Sequence, residues 1–134
     1  MSQAPGLLDT SVVVALSQTR ITSQLPELPM ISAITLAELS VGPLIATDAT
    51  ERAKRQAVLQ EAEAAFDPLP VNAAVARVYG RVGAELRARG NKSKARSYDA
   101  LIAAVAIANG LTLYTANPED FAGISELEVV SVSW

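Results

Sequence analysis

Residues 97–121, SYDALIAAVAIANGLTLYTANPEDF, place a helix, its terminator, a strand and a polar turn in one unbroken run. The nine residues ALIAAVAIA from Ala100 to Ala108 are apolar nearly all round, which suits a helix buried in the middle of a fold and is too short to cross a bilayer. Asn109-Gly110 stops it, because glycine accepts the left-handed conformation that ends helices. LTLYT at 111–115 then has strong β character, and the strand runs into a turn carrying Thr115, Asn117, Glu119 and Asp120.

The same alternation extends outward. Leu7-Leu8 reads as a short buried strand ending at Asp9-Thr10-Ser11, followed by a helix over 12–16. Met30-Ile31-Ser32 is a second short strand. A helix opens at Ser32 or Thr35 and runs over 34–39, where Gly42-Pro43 must bend or interrupt it. Residues 51–66 form a polar-faced helix, and 67–71, DPLPV, form a break with room for a very short strand. Asn72 caps a helix with the stripe Val75, Val78, Tyr79, Val82 and Leu86, ended by Gly90. LEVVSV at 127–132 is another strand. Strands alternating with helices, without a two-residue hairpin signal, indicate an α/β fold with a mostly parallel sheet. At 134 residues the chain makes one domain, 1–134. No basic N-terminal region precedes a signal-type apolar stretch, so the sequence reads as soluble and cytoplasmic, with no membrane association.

The chain contains neither cysteine nor histidine, which removes thiolate chemistry, disulfides, sulfur-bound zinc and the usual neutral-pH base. Any acid-base or metal chemistry must rest on oxygen donors, which suit Mg²⁺ and Mn²⁺. The net charge of −3 gives no general support for nucleic-acid binding, but Arg87, Arg89, Lys92, Lys94 and Arg96 fall in a ten-residue stretch without an acid. That cluster is either a solvated loop or a track for a phosphate backbone, with Arg96, three residues before Asp99, the best single contact.

Three acids lie on apolar elements. Asp9 follows the first strand, where parallel sheets gather functional groups, or else caps the next helix. Glu38 shares a helical face with Ile34, Val41 and Ile45, so it either finds a partner or reaches solvent along its own methylenes. Asp99 sits in the first turn of the most apolar helix, favourable for helix stability and close to the core edge.

Taken in order, LLDTS, TLAE at 35–38, DALIAA at 99–104 and TANPEDF at 115–121 resemble the blocks of a PIN-domain ribonuclease of the VapC toxin type, over nearly the whole length. The resemblance implies a three-layer sandwich with a mostly parallel five-stranded sheet flanked by helices. It also implies endonucleolytic RNA cleavage at a carboxylate-bound Mg²⁺ or Mn²⁺. Carried over by position, the acids are Asp9, Glu38, Asp99 and Asp120, with Asp9 and Asp99 the metal ligands. Many relatives have a carboxylate where this chain has Asn117, which becomes a neutral ligand or water holder. Glu38 would orient or deprotonate the attacking water, and Ser11 and Thr115 would position ligands. A homodimer and a small VapB-like antitoxin that blocks the acidic pocket are also implied.

Two other readings compete. A non-catalytic interaction module of PIN-like fold is suggested by Asn117. A Mg²⁺-dependent phosphoacceptor domain would need an early acid pair and a lysine near the last strand, whereas this chain has only Asp9 and no lysine after Lys94. Neither glycine-rich phosphate loop is present.

Overall fold

Leu7 and Leu8 are adjacent and fully buried, yet they belong to different hydrophobic clusters, because successive strand residues point to opposite faces of a sheet. The computed structural model describes residues 4–17 and 19–134, with Thr19 by its backbone alone. Four strands form the sheet: β1 (Pro5–Leu8), β2 (Leu28–Met30), β3 (Thr112–Thr115) and β4 (Val129–Ser131). Their order is β2-β1-β3-β4 and every pairing is parallel.

The five-stranded expectation is met with four described strands. The segment at 67–71 contributes one isolated bridge, Ser32 to Leu69, in which the Leu69 amide donates to the Ile31 carbonyl at 2.9 Å. Leu69 also accepts the Ala33 amide at 2.8 Å, and beyond Ser32 the partner segment turns into a helix that Ser32 caps, so the pairing stops at a single bridge.

Among the described residues, six α-helices accompany the sheet: α1 (Thr10–Val13), α2 (Ala33–Ile45), α3 (Ala49–Ala65), α4 (Ala73–Ala88), α5 (Lys92–Ala95) and α6 (Tyr98–Ala108). The Leu7 face packs on α4 and α6 through Val75, Val78, Val82, Leu86 and Ile102, together with Leu113 of β3. The Leu8 face packs on α1, α2 and α3 through Val12, Val13, Leu39 and Ala62. Helices therefore cover both sides, as a parallel sheet requires. No described helix is long and apolar enough to cross a membrane.

Side-chain caps set several helix starts. Ser32, Asp48, Asn72, Asn91 and Ser97 each accept a hydrogen bond from the amide three residues on. Pro43 does not end α2. The helix continues to Ile45 with Pro43 buried, and Arg55 of α3 donates to the Gly42 carbonyl at 3.0 Å beside the missing amide bond. The basic stretch contains the short helix α5, a structured turn where a loop is the simpler sequence reading.

The chain leaves β1 toward β2 on one side and leaves β3 toward β4 on the other. The crevice beyond the carboxyl ends of β1 and β3 is thus the topological switch point, where open α/β sheets place their ligands.

Candidate active site

Asp9 stands at the N-cap position of α1, but its side chain makes no capping bond. Its carboxylate Oδ2 instead accepts two hydroxyls, from Ser11 at 2.8 Å and from Thr115 at 2.8 Å. Thr115 ends β3, so these bonds cross the switch point and join the two central strands. Ser11 Oγ also accepts the Ala116 amide at 3.1 Å, and Thr115 Oγ1 accepts the Asn117 amide at 3.0 Å, which tethers the following turn to the same hub. Asp9 is 5% exposed, and its Oδ1 makes no hydrogen bond among the described residues. Since no buried side-chain polar atom lacks a partner among them, Oδ1 is the edge through which Asp9 meets solvent.

Glu38 reaches the same place from α2. The Thr10 hydroxyl donates to Glu38 Oε1 at 2.7 Å and lies 2.9 Å from Thr35 Oγ1, so two threonines orient the glutamate. Ser32 caps α2 by accepting the Thr35 amide at 3.1 Å, and its hydroxyl also donates to Thr35 Oγ1 at 3.5 Å, which holds Thr35 at the start of the helix. The stripe Ile34, Val41 and Ile45 is not the buried face of α2: Val41 and Ile45 are exposed, and Thr35, Leu39 and Pro43 are buried. Glu38 is half-buried beside the acids rather than within an apolar stripe. Its carboxyl is held above the usual range, first by burial and then by the charges of Asp9 and Asp99, against the Thr10 hydrogen bond.

Asp99 lies in the first turn of α6. Burial pushes its carboxyl up, Lys94 opposes that, and the charges of Asp9 and Asp120 add to it. Asp9 and Asp99 therefore each bear on Glu38, and Asp9 and Asp120 each bear on Asp99. Lys94 Nζ sits 3.1 Å from Asp99 Oδ2 and 3.6 Å from Asp120 Oδ1. The Asn91 cap and the bond from Ser97 Oγ to the Lys94 carbonyl, 2.7 Å, hold that residue on α5.

The basic stretch divides in three. Lys94 turns to the acids, Arg89 pairs with Glu85 at 3.3 Å, and Arg87, Lys92 and Arg96 are exposed without an ion pair among the described residues. Asn117 is exposed on the turn that leads to the 3-10 helix Pro118–Phe121, which carries Asp120.

Among the described residues, no three acids are arranged to hold a metal ion as they stand. The donors nevertheless fit a hard divalent cation: every one is a carboxylate, hydroxyl or amide oxygen. Two carboxyls have their ionised forms disfavoured, and an ammonium group lies between two of the acids, which marks a site whose negative charge attracts a cation. Sequence reasoning missed the Thr10–Thr35 pair that aims Glu38 and the inward turn of Lys94. Thr10 stood in the LLDTS block beside Asp9, but nothing local linked it to residue 35 or 38.

Comparison with known proteins agrees with this arrangement. The PIN domain profile matches residues 6–127. Ribonuclease VapC8 of Mycobacterium tuberculosis is 41% identical over 101 residues, spanning 75% of this chain and 89% of the relative. Ribonuclease VapC5 of the same species is 37% identical over 134 residues, spanning 96% of both chains. The crystal structure of VapBC-5 from that organism, a member of the VapBC family of toxin-antitoxin systems, aligns with a TM-score of 0.82 at 33% identity. That alignment covers 96% of this chain and 99% of the other.

Proposed function

The chain belongs to the PIN-domain family, among the VapC ribonuclease toxins of toxin–antitoxin pairs, and from that premise we propose that it hydrolyses RNA at the crevice between β1 and β3 with Mg²⁺ or Mn²⁺ held by its acids. The observation that carries this reading is the junction of Asp9, Ser11 and Thr115 across the switch point, with Glu38 feeling the charges of Asp9 and Asp99, and with Lys94 lying between Asp99 and Asp120.

Asp9 and Asp99 would hold the cation, with Asp120 adding negative charge and Asn117 a neutral oxygen. A bound Mg²⁺ or Mn²⁺ supplies activation of water and neutralisation of charge building on the scissile phosphate. The hydroxyls of Ser11 and Thr115 fix one oxygen of Asp9 and leave the other for the site. Glu38, whose ionised form is disfavoured by burial and by Asp9 and Asp99, is suited to receive the proton of the attacking water, and the Thr10 hydroxyl keeps its Oε1 in one position. The water oxygen bonds to phosphorus as the bond to the 3′-oxygen breaks, leaving a 5′-phosphate and a 3′-hydroxyl. Arg87, Lys92 and Arg96 hold the RNA backbone through their exposed charges. The protein works in the cytoplasm as a homodimer, restrained by a VapB-like antitoxin.

Incubation of the purified full chain with cellular RNA and Mg²⁺ tests the assignment, with Asp9→Asn and Asp99→Asn in parallel. Cleavage by the wild type, lost in both variants and in excess chelator, is the expected outcome; undiminished cleavage in either variant refutes the site. Absence of cleavage of every RNA tried, with partner binding indifferent to metal, would favour the interaction module that Asn117 suggests.

A further inference from the structure

Of the six aromatic side chains in the sequence, only Tyr98 and Trp134 are exposed. Trp134, the sole tryptophan, is 50% exposed and lines a shallow pocket of about 260 Å³ with Ala116, Asn117, Val132 and Ser133. Tyr98 lines no comparable recess among the described pockets.

The pocket is joined to the acidic crevice by hydrogen bonds. The Asn117 amide donates to Thr115 Oγ1, which itself donates to Asp9 Oδ2, and the Val132 amide donates to the Thr115 carbonyl at 2.8 Å. Its outer wall is held as well. Gln24 Nε2 donates to the Ser133 carbonyl at 2.6 Å and Gln24 Oε1 accepts the Ser133 amide at 3.0 Å, so the backbone leading to Trp134 is pinned on both sides.

A half-exposed indole leaves a large apolar surface in water, free to stack against a ligand. Its surroundings suit one kind of occupant. An exposed indole in a recess whose lining includes the polar residues Asn117 and Ser133 combines a stacking face with hydrogen-bonding groups, the features by which proteins take up unpaired nucleobases. Ala116 and Asn117 of the pocket lie on the turn that Thr115 and Ser11 tie to Asp9, so the pocket adjoins the acidic site.

We propose that Trp134 and Asn117 form a base subsite, in which an unpaired nucleotide adjoining the scissile phosphate stacks on the indole. The proposal rests on the nuclease reading given above. It makes the preferred substrate a single-stranded or looped RNA, since a paired base cannot enter.

Because the chain has a single tryptophan, its fluorescence reports the subsite directly. The full chain, in chelator to prevent cleavage, is titrated with an eight-nucleotide single-stranded RNA and with the same backbone carrying abasic sites. We expect quenching by the RNA, weaker or no quenching by the abasic strand, and affinity reduced about five-fold or more in Trp134→Ala, the lower end of what one base–aromatic stack contributes. Trp134→Phe retains most of the affinity. Equal quenching by the abasic strand, or unchanged affinity in Trp134→Ala, overturns the subsite. So does quenching that tracks self-association in sizing experiments, which would give Trp134 to a contact between copies. A wild-type protein that cleaves RNA in Mg²⁺ but shows no quenching refutes the subsite and leaves the nuclease standing; one that neither binds nor cleaves refutes both.

Discussion

Replacing Lys94 by methionine should destabilise the metal-free fold and strengthen Mg²⁺ binding at the same time. The ammonium lies 3.1 Å from Asp99 Oδ2 and 3.6 Å from Asp120 Oδ1. At an effective dielectric near 20, the shorter pair attracts by roughly 5 kcal/mol before screening. The three side chains are 22%, 28% and 45% exposed, so water and the ordering of a long side chain cut the net contribution to about 1 kcal/mol or less. In chelator, Lys94→Met should therefore lower Tm by roughly 3–5 °C. Magnesium reverses the sign, because the dication competes with Lys94 for the same two carboxylates. Relief of that competition, about 1 kcal/mol or less, strengthens Mg²⁺ binding by up to about fivefold. At a fixed concentration well above Kd, the gain adds about the same energy to the stability of the loaded protein and restores its Tm to the wild-type level. Calorimetric Mg²⁺ titration of the full chain, with melts in chelator and in Mg²⁺, measures both effects. Lys94→Arg keeps the charge and should keep the wild-type Kd. Unchanged or weaker Mg²⁺ binding in Lys94→Met would show that the ammonium and the cation do not share these acids.

Other outcomes follow from the same geometry. The Glu38 carboxyl is raised in the folded state, so its contribution to stability is complete below the unfolded carboxylate pKa and is lost as pH rises through the folded value. In chelator, the wild type should lose stability between the ordinary carboxylate range and neutrality more steeply than Glu38→Gln; parallel slopes in pH-resolved melts would contradict the electrostatic account. Thr115→Val removes one of the two hydroxyls on Asp9 Oδ2 at a fully buried position and should cost about 1–3 kcal/mol in urea unfolding. A loss within experimental error would mean that Asp9 finds another donor. At Gly6 an added Cβ would stand 2.5 Å from Tyr114 Cε1 and 2.8 Å from Pro26 Cγ. Gly6→Ala should therefore cost about 1–3 kcal/mol by overpacking, and a neutral result would show that the two rings yield.

The sheet and its flanking helices are legible in the linear order because burial and chain stops leave local marks. The apolar run 100–108 ends at Asn109-Gly110, and Gly110 has the positive φ of 65° that such an end requires. Asn72 caps α4 where its position predicts, and the stripe from Val75 to Leu86 is largely buried. Other boundaries were set by packing instead. Pro43 predicts a bend, yet α2 runs on to Ile45 with the proline buried, and near its end Arg55 of α3 takes up the Gly42 carbonyl. The strand expected over 127–132 shortens to Val129–Ser131, the residues that register against Leu113, Tyr114 and Thr115 of β3.

For the site, the sequence by itself determined the chemistry. Without cysteine or histidine, oxygen donors were the only ones available, and the spaced blocks around Asp9, Glu38, Asp99 and Asp120 nominated the acids through resemblance. Only the tertiary structure decided what each acid touches. Thr10 and Ser11 are consecutive, yet one turns to Glu38 on α2 and the other to Asp9 and the end of β3. Lys94 belongs to a basic run, yet it faces Asp99 and Asp120. Propensity, caps and hydrophobic period act over a few residues, whereas these contacts join groups up to 106 positions apart and exist only after the two sides of the sheet have packed.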